Sequence, residues 1–313
     1  MNNKITSERF KNFISYDFWK MILSLIAIIV ALALVLQITA PRPSYAQDFT
    51  FMIDSDIIAN DEGRNLLQEI DDRQVDNYGF SYDILKTTSY YLSSGEQHTS
   101  GFLMHTYKQA YNDDVFICAD AIDDSLYKNY ISSFYATELI RYVDDALSFA
   151  NDFYKNGQLD QEKVKEYFAK ERGKDSRFWG EKNYFEGVRL ECLRITAIKE
   201  NATKLKYVFE NYDILYKFEQ LKNEFEHFPE LNELVEEGYY AIDFSKLNAY
   251  KRPDKNLENA FSRLKDVGEG RYENTLENVV LLVGNNKEAS GDLHYEALAV
   301  INTIIQTYTT LLD

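Results

Sequence analysis

Twenty consecutive residues, Met21 to Ala40 (MILSLIAIIVALALVLQITA), carry no charge. At 1.5 Å per residue, a helix of that length spans about 30 Å, one hydrocarbon core. Lipid offers no partner to backbone N–H and C=O groups, so a spanning segment must satisfy them internally, as a helix does. Residues 21–40 therefore read as a transmembrane helix, with membrane lipid as their partner. Tyr16 and Trp19 supply aromatic anchors at its near end. Lys4, Arg9, Lys11 and Lys20 precede the span, and only Arg42 closely follows it. The positive-inside bias then keeps residues 1–20 as a short cytoplasmic segment and sends the chain after Pro41 outside. The competing reading is a signal peptide cleaved after Ala46, because Ser44-Tyr45-Ala46 has the small-x-small shape of a cleavage site. Against it, the apolar core is long for a signal, and Pro41 and Pro43 fall in the cleavage region. Both readings place residues 47–313 outside the cytoplasm, and an uncleaved single-pass cell-membrane anchor is the one adopted. No cysteine closely follows the apolar run, so attachment through a lipidated cysteine is excluded.

Charge narrows the partners. The net charge is −17, yet Lys4, Arg9, Lys11, Lys20 and Arg42 against Glu8 and Asp17 give residues 1–46 a net of +3, leaving −20 on the remainder. Such a surface repels phosphate backbones and flat anionic lipid, which excludes nucleic acid as a partner. Its plainest role is solubility. With 15% aromatic residues, 4 Pro and 13 Gly, the outer part reads as folded and helix-rich rather than disordered or turn-rich. Two cysteines, Cys118 in an apolar run and Cys192 in a helical stretch, make neither a disulfide framework nor a CxxC site, and are expected as free thiols.

After a linker at residues 41–47, the outer domain alternates. Phe49–Ile53 reads as a strand stopped by Asp54-Ser55-Asp56, and Asp61 to Arg73 as a helix. Phe80–Leu92 holds a second β-rich run, Gly95–Tyr111 a helix, and Val115–Ala119 a strand ending at Asp120. From residue 130 to 238 the pattern is helical. Ile131–Asn156 is ended by Gly157, Gln161–Arg172 by Gly173, and Tyr184–Asn211, Ile214–Phe228 and Asn232–Glu237 follow. Strand texture returns at Tyr239–Phe244 and Val279–Gly284, before a terminal helix with Ala297, Val300, Ile301, Ile304, Ile305 and Tyr308 on one face. The expected fold is α/β: a mainly parallel sheet with flanking helices, built from residues 48–129 and 239–313. A helical second lobe, residues 130–238, lies between the two parts, and one transmembrane helix precedes them.

This arrangement resembles the type II extracellular solute-binding proteins of transporters. The resemblance rests on Phe49–Ile53 with its helix, on Asp114–Asp120 (DVFICAD), and on Gly238–Phe244 followed by Val279–Asn286 and the helix through Tyr295–Ile301. It implies a ligand, a sugar or a peptide, enclosed between two lobes and delivered to a membrane transporter. The spanning anchor and the helical middle differ from that family's pattern.

Ligands of such sheets bind beyond the carboxyl ends of the strands, which points to Asp54, Ser55, Asp56 and Asp120; the same residues also serve ordinary strand-end turns. Arg177-Phe178-Trp179-Gly180 with Tyr184-Phe185 puts aromatic faces beside a guanidinium. That suits a sugar or a partner side chain, or equally a core anchor joining two helices. The candidate contacts are thus Asp54, Asp56, Asp120, Arg177, Trp179 and Tyr184. His98, His105, His227 and His294 are too dispersed for a metal, and Asp54-Ser55-Asp56 lacks the glycine and terminal glutamate of a calcium loop. No nucleophile or phosphate-loop motif occurs. Neither cofactor nor catalytic residue is assigned. Paired carboxylates such as Asp71-Asp72 keep a surface hydrolase open only if two face each other across a cleft. The expected role is a non-enzymatic, membrane-anchored binding domain, with a structural or assembly subunit of a membrane complex as the alternative.

Protease added to intact cells or protoplasts should digest the chain from its C-terminal side and leave residues 1–40 protected. A C-terminus shielded from the protease contradicts the topology.

Overall fold

The computed structural model describes residues 7–12, 18–39, 48–54, 56–66, 86–92, 114–121, 131, 136–171, 180–219, 237–284 and 295–313. The chain forms two units, Met1–Arg42 and Pro43–Asp313. The first holds α1 (Ser7–Asn12) and α2 (Phe18–Thr39). Within α2, Phe18–Val35 has a mean hydropathy of 2.6 and none of it is buried by the rest of the chain, so this helix is long and apolar enough to cross a membrane.

The second unit is mixed α/β. Its strands in chain order begin with β1 (Asp48–Asp54), β2 (Ile57–Ala59), β3 (Lys86–Leu92) and β4 (Asp114–Asp120). Helix α3 (Leu139–Asn151) leads into the small hairpin of β5 (Tyr154–Lys155) and β6 (Gln158–Leu159), then α4 (Gln161–Glu171) and the 31-residue α5 (Glu181–Asn211). After these come β7 (Leu215–Phe218), β8 (Gly238–Asp243), α6 (Phe244–Asn248), α7 (Leu257–Ala260), β9 (Phe261–Gly268), β10 (Arg271–Thr275), β11 (Val279–Gly284) and α8 (Ala297–Tyr308). The main sheet runs β3-β1-β4-β11-β8-β7. β1 pairs in parallel with β3 and β4, while the β4–β11, β11–β8 and β8–β7 pairings are antiparallel. The sheet is therefore mixed: the returning strand β11 enters between β4 and β8 in the opposite sense.

Alternation along the strands covers both faces. Phe51, Ile53, Phe116, Cys118, Ile242, Leu281 and Val283 join the large core with Tyr142, Ile198, Leu205, Ile301 and Ile304 from the helices. Met52, Ile117, Ala119, Val280 and Leu282 point the other way, into a smaller cluster with Ile131 and Phe218. Two apolar environments explain why β4 and β11 read as unbroken apolar runs rather than alternating ones. The helices of residues 139–211 share the sheet's core within the single Pro43–Asp313 unit.

Local chemistry accounts for the departures from the helical pattern. Glu138 caps α3 by accepting from the Arg141 N–H at 2.7 Å, so the helix starts there rather than at Ile131. It stops at Asn151, because Asn156 and Gly157 both take positive φ, 53° and 79°, and form the two-residue turn of the β5–β6 hairpin. Asn-Gly is the sequence such turns favour, and its twist matches the flanking strands. Residues 215–218, expected in a helix, pair with β8 instead, their Tyr and Phe suiting an edge strand. Gly63 shows another constraint. A Cβ there would lie 2.5 Å from the Ala260 carbonyl oxygen, so only glycine lets the turn at 61–66 approach α7. The helix expected over Gly95–Tyr111 lies outside the described residues.

Leu281, fully buried in a strand flanked on both sides, tests this layering. Leu281→Ala should cost about 2–5 kcal/mol, read as a lower urea midpoint at unchanged m-value in full-length protein in detergent.

Candidate functional site

β1 runs parallel to β4, and both β4 and β8 oppose β11, so β1, β4 and β8 end at the same edge of the sheet. Each finishes on an aspartate: Asp54, Asp120 and Asp243. A buried strand cannot carry a charge inside, so carboxylates are confined to its ends. Asp54 is 1% exposed and its Oδ1 accepts the Asp56 N–H at 3.2 Å, which bends the chain into β2. Asp56 itself faces solvent. Asp120 Oδ2 accepts from Arg263 Nη1 at 3.1 Å, and Arg263 Nε donates to the Glu277 carbonyl at 2.7 Å. Both partners of this ion pair are largely buried, with side-chain exposures of 6% and 12%. Asp243 caps α6, accepting from the N–H groups of Ser245 and Lys246 at 2.9 and 3.1 Å. Burial lifts its carboxyl above the ordinary range, and those two donors work against that rise.

The strand-end edge is thus occupied by the protein's own parts. β2 pairs with β9, placing Ile57 opposite Arg263, and β10-β9-β2 forms a second sheet whose arginine answers Asp120. Beneath it, Cys118 is fully buried; desolvation, helped by the Asp54 charge, raises its thiol far above the usual value and leaves it unreactive. Cys192 is also free and only half-buried, and burial raises its pKa too.

Of the aromatic candidates, Arg177 and Trp179 lie outside the described residues. Tyr184 is in the first turn of α5, where its N–H donates to the Gly180 carbonyl at 3.0 Å. Its ring meets that of Phe168 edge-on at 5.5 Å and so packs α5 against α4. The structure brings Asp54 and Asp120 to one edge and gives Tyr184 a helix-joining contact.

A second charged centre went unnoticed in the sequence. Arg194, 5% exposed, donates from Nε to Glu296 Oε1 and from Nη1 to Glu191 Oε1 at 2.8 Å. Burial works against the guanidinium's charge, but the carboxylates of Glu296 and Glu191 outweigh it and hold the proton more firmly than water does. Glu296 also accepts the Tyr295 N–H through Oε2 at 2.9 Å. The Phe149 ring lies 5.9 Å from the guanidinium carbon and 5.4 Å from the Tyr295 ring. Burial, with Asp145 nearby, pushes the Tyr295 phenol up to about 12. Arg194, Asn201, Tyr295 and Glu296 border a niche between α5 and α8 with room for about one water molecule. A turn further on, Asn302 Nδ2 donates to the side chain and carbonyl of Asn201 at 2.8 and 3.0 Å. The signal was present in the sequence. Glu191, Arg194 and Asn201 fall on the same 3–4-residue repeat as Ile198, Leu205 and Val208, so charged residues occupy core positions of the helix.

Among the described residues, no group of three or more His, Cys, Asp or Glu side chains is placed to hold a metal ion. Compared with protein-family models, curated proteins and solved structures, the chain finds no match.

The Arg194 centre makes a definite thermodynamic prediction. Arg194→Ala leaves two carboxylates in a dry site and should cost about 3–5 kcal/mol in urea unfolding, whereas the triple change Glu191→Leu, Arg194→Met, Glu296→Leu should recover most of that loss.

Proposed function

We propose that this chain is a single-pass membrane protein whose unit after Arg42 works outside the cytoplasm as a non-enzymatic binding and assembly module, joining other proteins rather than enclosing a solute. One observation carries this reading: the edge where an α/β sheet usually receives its ligand is built as an internal joint. Asp120 is answered by Arg263, Asp54 by the Asp56 N–H, and Asp243 by the start of α6. The niche between α5 and α8 has room for about one water and is not itself a solute site. Exposed α2 supports the anchor, and the basic residues before it support a cytoplasmic N-terminus. The acidic outer surface keeps the module soluble and away from anionic lipid.

A second reading, solute binding in the manner of transporter-associated solute-binding proteins, draws on the alignment of Asp54, Asp120 and Asp243 at the strand carboxyl ends. Its candidate contacts are those aspartates with Asp56, Arg177, Trp179 and Tyr184.

Thermal denaturation of full-length protein in detergent separates the two. Assembly predicts an unchanged Tm across a panel of sugars, amino acids and peptides. In-cell cross-linking should then convert the chain to one discrete species of higher mass. A solute present at 100 times its Kd stabilises by about 2.7 kcal/mol, so a clear rise in Tm with one compound establishes the second reading instead.

A further inference from the structure

β9 and β10 leave the domain as a two-stranded ribbon. From Lys265 to Gly268 every β9 residue is exposed, and so is β10 from Arg271 to Asn274. Tyr272 is 61% and Leu264 51% exposed, high for large apolar side chains. Register places them together: Tyr272 pairs with Asp266 and Asn274 with Leu264, so Tyr272 and Leu264 are diagonal neighbours on one face. The other face carries Lys265 opposite Glu273. Among the described residues β10 has β9 as its sole strand neighbour, leaving the outer side of its backbone ladder unpaired. The bulge that offsets Arg271 from Tyr272 takes its extra residue, Val267, from β9, so β10 itself stays continuous.

Charge then selects an occupant. β10 reads Arg271-Tyr272-Glu273-Asn274-Thr275. Laid antiparallel against a second copy about Tyr272, the strand puts Arg271 opposite Glu273 twice, and Tyr272 opposite itself. The Lys265–Glu273 row extends to the second copy's Arg271, giving alternating signs across both strands, while Tyr272 and Leu264 of each copy lie diagonally on the opposite face, bordered there by Asp266 and Asn274. Both charged groups are available for this. Glu273 makes no ion pair among the described residues, and Arg271 has only a 3.7 Å contact with Glu269, 70% and 86% exposed, which solvent screens. Pairing about Glu273 would instead set that carboxylate against its own copy, so the charges also choose the register.

We propose that β10 is a self-recognition edge, through which two copies of this chain pair antiparallel about Tyr272 into a four-stranded ribbon. The interface is isologous, as a two-fold dimer requires, and adds a strand to a sheet edge through backbone hydrogen bonds. It uses neither the anchor nor the strand-end aspartates. A five-residue strand pair lies well below the area of permanent dimers, so the association is reversible and covalent trapping is the suitable readout.

The test uses full-length protein reconstituted in liposomes, with Cys192→Ser as background and Cys118 left buried. Under mild oxidation Tyr272→Cys should yield a disulfide-linked dimer about tenfold more readily than Asn274→Cys, whose Cα atoms stand about 14 Å apart in this register, beyond the roughly 7 Å reach of a disulfide. In the Tyr272→Cys chain, adding Arg271→Glu or Glu273→Arg alone should cut trapping severalfold, and mixing those two variants should restore it as a heterodimer. The proposal is overturned by absence of a trapped dimer at residue 272, by equal trapping at 272 and 274, or by failure of the mixed charge variants to recover. Circular dichroism unchanged by these surface substitutions excludes misfolding as the cause.

Discussion

A sheet buried on both faces tolerates no charge along its central strands. That constraint organises the rest of the Pro43–Asp313 unit. It makes β11 and the interior of β4, Val115–Ala119, apolar, and it confines the carboxylates of β1, β4 and β8 to the strand ends; three of them, Asp54, Asp120 and Asp243, lie at one edge. Three charges at a dry boundary need partners. The chain supplies them from the segments that follow: the turn into β2, the start of α6, and an arginine carried back on β9. What looks at first like a ligand shelf is thus also the device that fastens the second sheet to the first.

The helical layer repeats the logic with a higher electrostatic stake. Arg194 brings a charge into the packing of α5 against α8, and only two carboxylates with well-placed oxygens make that tolerable. Replacing such a centre with hydrocarbon often costs little stability. Glu191 lies on α5 itself, while Glu296 immediately precedes α8, so the Arg194–Glu296 pair ties one point of α5 to the start of α8. Asn201 with Asn302, farther along the same seam, adds a second registration point.

Much of this was legible in the residues. The apolar span, the strands at Phe49–Ile53, Val115–Ala119 and Val279–Gly284, and the long helices all follow from composition and period, because each element's environment is uniform along its length. Elements whose identity depends on distant partners were not legible. β2 and β9 are short or half-exposed and exist because they pair with each other across some two hundred residues of chain. β7 has the apolar spacing of a helix and becomes a strand because β8 offers it an edge. Asn156-Gly157 was a local signal that the surrounding helical period masked. For the candidate site, the strand-end placement of Asp54 and Asp120 was readable from topology, while Arg263 as the partner of Asp120 was not, since nothing near residue 120 announces it.

The central position of β11 has a consequence for how the molecule is made. Its neighbours β4 and β8 both precede it in the chain, and among the described residues the sheet joins them through β11, which begins at residue 279. Until β11 joins, β3-β1-β4 and β8-β7 are two separate parts of the sheet, each with an apolar strand at its open side. Closing it spans more than 150 residues from β4, a loop that must be gathered before any ladder bond rewards it. The sheet therefore closes in a single long-range step, the insertion of β11, which joins its two parts at once.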